Sequence, residues 1–222
     1  MPFVSKVTGN QIIKAGTLLM LGHSLDSIKK TTNYLNSSTN KVAIKKAIFP
    51  WSRFPAEDTM LGPEMKATGE VLGIGRSFGV ALNKAYAAAG VEINENEKGI
   101  FVSLSDQEKP NFIKIVKTYS DLGFKIYSTY GTGEYLKNNE INSTIVGRAD
   151  ETFPTSLTIL QDKLISLVIN TPTFANEYTD GWKIRRLSHE TGVAVVSSVR
   201  EAEAFLLSLI HISGPTRLTS IS

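Results

Sequence analysis

IFVSLSDQEKPNFIKIVKTYSDLGFKIYSTYGT, residues 100–132, decides the fold. It opens on an apolar, β-branched run, continues with helically spaced apolar residues that stop near Gly123, and returns to a second apolar run, FKIYS. Ser105 followed by Glu108 has the spacing of a capping box and predicts the helix start. Strand, helix and strand with short connections form a parallel unit. The pattern then repeats. STIV (143–146), LISLVIN (164–170) and VAVVS (193–197) read as further strands. Helices are predicted after Gly131, after Pro154, over residues 180–192, and over residues 200–209, where Ala202, Phe205, Leu206 and Leu209 share one side. The expectation is an α/β fold, Rossmann-like, with a five-stranded parallel sheet wrapped on both faces.

Residues 1–92 differ in character, reading as irregular structure that joins a few elements. Residues 11–21 predict a helix stopped at Gly22, and VAIKKAIF (42–49) predicts a strand. Ser77 caps a predicted helix filled with alanine and closed by Gly90. VEINENEKG (91–99) reads as a linker, which gives expected domains at 1–92 and 93–210 with a tail at 211–222. LGPEMKATGEVLGIGRSF (61–78) has neither a helical nor a strand period, as where backbone must lie against a ligand or another wall of protein. GIGRSFG within it lacks the G-x-G-x-x-G spacing of a dinucleotide loop and is not read as one.

Composition narrows the function classes. The 222 residues are 41% apolar and 20% charged, enough to bury a core. No apolar run is long enough to span a bilayer, and MPFVSKVTG holds no signal-peptide apolar segment. There are no cysteines, which excludes disulfides, thiolate metal sites and cysteine nucleophiles and fits a cytoplasmic location. A net charge of +3 on scattered basic residues gives no nucleic-acid footprint. His23, His189 and His211 are too far apart for metal-type spacing, so no metal site is expected.

In parallel α/β sheets ligands bind at the carboxyl ends of the strands. Ser103 and Lys109 flank the first strand-to-helix turn; Thr129, Gly131 and Thr132 follow the second strand. Arg148 follows the third, and Asn170 with Thr171 the fourth. A lysine, an arginine, hydroxyls and an amide, with no carboxylate in the set, make an anion pocket. Each residue alone is equally a turn former or a helix cap. Their joint placement on one rim carries the pocket reading.

The same residues carry a resemblance. FVSKVTG (3–9), FPWSRFPAEDTM (49–60) and LGPEMKATGEVLGIGR (61–76) resemble, in order, the end of the second ATP-grasp half of the carbamoyl-phosphate synthetase large subunit. From residue 93 the chain resembles the methylglyoxal-synthase-like domain that ends that subunit. Lys109, the T-x-G-T run at Thr129 to Thr132, I-N-T ending in Asn170 and Thr171, and D-x-x-x-I-R-R from Asp180 through Ile184 match its motifs. The resemblance implies an incomplete α+β ATP-grasp segment followed by an allosteric domain. It also implies that Ser103, Lys109, Thr129, Thr132, Arg148, Asn170, Thr171, Asp180 and Ile184 form the effector site, whose pocket takes the phosphate of UMP or IMP.

The departures are specific. Arg148 stands where the family has lysine, and E-G-R-P is replaced by ETFP (151–154). Lys46 stands where the enteric-type enzymes place a glutamate for ornithine, and Val195 where a tyrosine is expected, which argues against ornithine. Residues 211–222 match nothing in the family.

For the parent enzyme the resemblance implies ATP with magnesium or manganese, the glutaminase small subunit and the rest of the large subunit as partners. It makes carbamoyl phosphate for pyrimidine and arginine synthesis. The metal ligands belong to an E-x-N-P-R segment ahead of FVSK, so this chain alone is expected not to turn over ATP. Met65, Thr68 and Glu70 fall near the family's carbamate passage; Glu70 reads either as a cavity-lining carboxylate or as an ion-paired one. Two other functions remain open. One is a free-standing enzyme of the methylglyoxal synthase type, with Asp150 or Glu151 as base. The other is an interaction module without a ligand.

Overall fold

The computed structural model describes residues 2–32, 40–49, 68–91, 99–147, 154–171 and 179–212. Three short helices open the chain: α1 (Pro2–Thr8), α2 (Ile12–Met20) and α3 (Leu25–Thr31). Next comes an antiparallel pair, β1 (Val42–Ala47) and β2 (Glu70–Gly75), followed by α4 (Phe78–Ala88). As the sequence predicts, the Ser77 hydroxyl caps α4 by accepting from the Val80 amide.

The strand β2 is the first correction. It lies inside the stretch read as aperiodic, and its glycines explain why the pattern was hidden. A Cβ on Gly73 would stand 2.0 Å from the Ala81 carbonyl oxygen, and one on Gly75 would stand 2.6 Å from the Ala81 amide nitrogen. The glycines admit helix α4 to the sheet at close range, and a β-branched residue at either position would exclude it.

The larger sheet holds β3 (Gly99–Ser103), β4 (Lys125–Ser128), β5 (Thr144–Ile145), β6 (Leu167–Asn170) and β7 (Ala194–Val196). All neighbours are parallel, in the order β5-β4-β3-β6-β7. Between them run α5 (Lys109–Asp121), α6 (Tyr130–Asn138), α7 (Ser156–Gln161) and α8 (Asp180–Thr191), and α9 (Val199–Ile212) follows β7. The five-stranded parallel α/β fold is therefore the one the periodicity predicts. α9 runs past its predicted end at residue 209.

Side chains alternate across each strand, and that splits the core in two. On one face Ile100 and Val102 pack with Phe112, Val116 and Tyr119 of α5 and with Ala202 and Phe205 of α9. On the other Phe101 and Val168 pack with Ile159 and Leu160 of α7 and with Ile184 of α8. Tyr86 of α4 belongs to the first core, meeting the Phe205 ring edge-on at 5.3 Å between centroids. Thus α4 packs on α9 and shares a core with the sheet.

Two local predictions change. The Ser105–Glu108 capping box is not formed: Glu108 makes no side-chain cap, and Ser105 instead meets Thr171 across the sheet. The T-x-G-T run is not a separate turn but the first turn of α6, with Thr129 in the N-cap position. Gly192 ends α8 in the left-handed conformation, φ 77°, as a C-terminal glycine does.

Candidate functional site

β3 is central, and the chain leaves it toward β4 on one side and reaches β6 on the other. The crevice at its carboxyl end is therefore the switch point where parallel sheets bind ligands. Ser103 and Asn170 end β3 and β6 and stand opposite each other in register. Asn170 is 3% exposed; its Nδ2 donates to the Ser103 carbonyl at 3.5 Å, and its Oδ1 accepts from Arg185 Nη1 at 2.7 Å.

Two threonines hold the loop after β3 from opposite sides. The Thr132 hydroxyl, on the β4 side, accepts from the Leu104 amide at 3.1 Å. The Thr171 hydroxyl, on the β6 side, accepts from the next amide, Ser105, at 2.8 Å. Both threonines are buried, and Thr129 donates to or accepts from the Thr132 hydroxyl at 3.2 Å. Because Thr129 turns to Thr132, the first turn of α6 has no side-chain cap. Its leading amides and the positive end of the helix dipole are left facing the rim.

Lys109 begins α5. Its ammonium lies 5.8 Å from the Tyr135 ring centroid and 3.8 Å from where a Cβ on Gly131 would stand. Gly131 thus brings the first turn of α6 against the lysine. The set is not free of carboxylates, as the sequence had implied. Asp106, almost fully exposed, pairs with Lys109 at 2.6 Å. Only the carboxylate side of this pair is solvated, the Lys109 side chain being 12% exposed.

Not every predicted residue joins this rim. The Ile184 side chain is buried in the core beneath it, so it supports the rim without facing it. Asp180 opens α8 and lies 4.0 Å from Lys183, next to Gly181, whose added Cβ would meet Asn170 at 3.5 Å. Glu70 sits on the separate two-stranded sheet, ion-paired with Lys45, which is the blander of its two readings. Thr68 is exposed just ahead of β2. Met65, Arg148, Asp150 and Glu151 lie outside the described residues.

A sequence profile described as the MGS-like domain matches residues 111–197. The chain is also 35% identical, over 97% of its length, to the carbamoyl phosphate synthase large chain of Nostoc sp., covering 19% of that protein. It is 35% identical over 92% of its length to the carbamoyl phosphate synthase large chain, C-terminal section, of Aquifex aeolicus, covering 40% of it. The large chain of Methanocorpusculum labreanum is 36% identical over 91% of this chain and is covered to 19%. This chain belongs to the carbamoyl phosphate synthase large-chain family. It spans about a fifth of the full-length large chains it matches.

Within this carbamoyl phosphate synthase fold, the MGS-like match takes in Thr129, Thr132, Asn170, Thr171 and Asp180, while Ser103 and Lys109 precede it. Sequence reasoning passed over Arg185, although it lies inside the quoted I-R-R match. It is 6% exposed and bonded to Asn170. Among the described residues no cluster of three or more His, Asp or Glu side chains could hold a metal ion. Nor is any helix among them long and apolar enough to cross a membrane.

A second feature lies behind the rim. A cavity of about 440 Å³ is lined by Lys46, Tyr86, Arg185, His189, Val195 and Glu201, among others. The two departures from the enteric pattern, Lys46 and Val195, therefore meet in one place. Burial lowers the Lys46 pKa, with Glu201 acting in the opposite sense. Burial, together with the charges of Lys46, Arg186 and Arg185, lowers that of His189 to about 4. Burial, then Glu201, raises that of Tyr86 to about 12.

Proposed function

We propose that this chain is the regulatory C-terminal part of a carbamoyl phosphate synthase large chain, and that its rim binds the phosphate of a nucleotide effector, UMP or IMP. The convergence of Lys109, Thr132, Asn170 and Thr171 at the carboxyl ends of the central strands supports this most strongly. In this reading a phosphate replaces Asp106 on the Lys109 ammonium and accepts from the uncapped amides that open α6. Arg148 is the second cation in this reading. Thr132 and Thr171 keep the loop after β3 in place, so the donors are set before the ligand arrives.

The parent enzyme, in this reading, joins bicarbonate with glutamine-derived ammonia at the expense of ATP and magnesium or manganese. The glutaminase small subunit and the rest of the large chain supply the chemistry. Among the described residues no metal-holding cluster is found, so no catalytic step is assigned to them. Glu70, Thr68 and Met65 keep only the proposed position near the carbamate passage, and the protein works in the cytoplasm.

Calorimetry with UMP and with IMP tests the proposal. Micromolar binding of either, lost in Lys109→Ala, supports it; no heat from either removes it. Phosphate release from dihydroxyacetone phosphate that depends on Asp150 would favour a triose-phosphate enzyme instead.

A further inference from the structure

An anion already seated on the rim belongs to the chain itself. Asp106 stands in the turn that leads from β3 into α5, directly after Leu104 and Ser105, whose amides Thr132 and Thr171 hold. The Glu108 and Lys109 amides both donate to the Ser105 carbonyl, so the backbone on either side of Asp106 is tied down. The Asp106 carboxylate reaches Lys109 Nζ at 2.6 Å. Among the described residues no other carboxylate lies within ion-pair distance of that ammonium.

The pair is lopsided, with the Asp106 side chain 92% exposed and the Lys109 side chain 12% exposed. A carboxylate held three residues from its lysine competes within the molecule, at an effective concentration that a free anion has to overcome. An anion that offers charge alone exchanges one partner of Lys109 for another and gains little. A ligand with further contacts, as a nucleoside provides, wins the exchange. The displaced carboxylate then passes into water at small cost, because it is already solvated.

We propose that Asp106 is an autoinhibitory anion: it occupies the Lys109 ammonium until a phosphate ester displaces it, and so sets the concentration at which the rim responds. This inference rests on the reading of the rim as a phosphate site. Glu108, the neighbouring carboxylate, has no such part. Its Oε2 accepts from Asn111 Nδ2 at 3.2 Å, and it forms no ion pair with Lys109.

The test is calorimetry on Asp106→Asn in the full 222-residue chain, with UMP and separately with inorganic phosphate. Both affinities are expected to rise about fivefold or more over the parent chain. Glu108→Gln is expected to leave them within about twofold of the parent. Unchanged affinities in Asp106→Asn, or an equal gain in Glu108→Gln, overturn the proposal. So does a gain for UMP without one for inorganic phosphate, since removing a competitor helps every anion. Carboxyl-carbon NMR of Asp106 in the parent chain decides the matter if the variant fails to fold. At UMP saturation the resonance is expected to move to its position in Lys109→Ala, and a resonance that stays in place overturns the proposal. UMP binding that needs Lys109 but ignores Asp106 sinks this inference and leaves the rim standing. No binding of UMP or IMP in either parent or Asp106→Asn removes both.

Discussion

Arg185 donates from Nη1 to Oδ1 of Asn170 across 2.7 Å, and both side chains are buried. The amide therefore ties a charged group of α8 to the carboxyl end of β6, where the phosphate is expected. Replacing Asn170 with leucine removes the acceptor from a buried guanidinium and is expected to cost about 2 kcal/mol, lowering Tm by roughly 4–8 °C. Asn170→Asp keeps an acceptor for Arg185 and is expected to stay within about 1 kcal/mol of the parent protein. It also puts a negative charge on the rim, and UMP affinity should fall about tenfold or more. Thermal melts and calorimetry on the two variants separate a structural Asn170 from one that also meets ligand.

The paired threonine brackets give a second expectation. Thr132→Val preserves shape but withdraws the acceptor from the Leu104 amide. A buried amide left unsatisfied costs about 1–3 kcal/mol. Thr171→Val acts on the neighbouring Ser105 amide. Because both amides lie in one loop, the double variant is expected to be non-additive, by about 0.5 kcal/mol or more. Denaturant melts on the two singles and the double measure this; strict additivity would show that the brackets act independently.

Gly73 and Gly16 are expected to respond oppositely to alanine. At Gly73 the methyl would stand 2.0 Å from the Ala81 carbonyl oxygen, so α4 must move off β2. Overpacking of this kind costs about 1–3 kcal/mol or more. Gly16 lies within α2 with nothing near its missing Cβ, and alanine there should stabilise the helix by up to about 1 kcal/mol. Chemical denaturation of both variants reads the difference.

The fold was legible where burial on both faces made the strands continuous apolar runs, as in IFVSL and LISLVIN. It was not legible in EVLGIG, because Gly73 and Gly75 serve contact with α4, which no local pattern records. Most of the rim could be read from the residues just after each strand, since strand ends fix where a loop residue emerges. Ile184 was misplaced there, because motif membership does not tell a core side chain from a facing one. Ser105 looked like a cap because its spacing to Glu108 is right, yet Thr171 offered its loop a partner from 66 residues away. The cavity was hidden for the same reason: Lys46 and Glu201 are neighbours only after the chain has folded.

His189 gives a signed pH dependence. Its pKa is lowered from 6.5 to about 4 in the folded chain, so between these values the unfolded state binds more protons. Stability from this group therefore rises as pH increases from about 4 to 6.5 and is level above that. The contribution lost on acidification is at most about 3 kcal/mol. Melts of the parent protein and of His189→Asn across this range should differ in slope, the variant being flatter. Equal slopes would mean that neither burial nor the three cations lowers the His189 pKa.

A nucleotide phosphate seated on the rim formed by β3, β4 and β6 is the reading on which the regulatory role depends. Backbone amide NMR of the chain titrated with UMP decides it. Saturable shifts are expected at Leu104, Ser105, Gly131 and Thr132, and none of them in Lys109→Ala. Shifts confined to residues away from these strand ends, or none at all with either UMP or IMP, would contradict it.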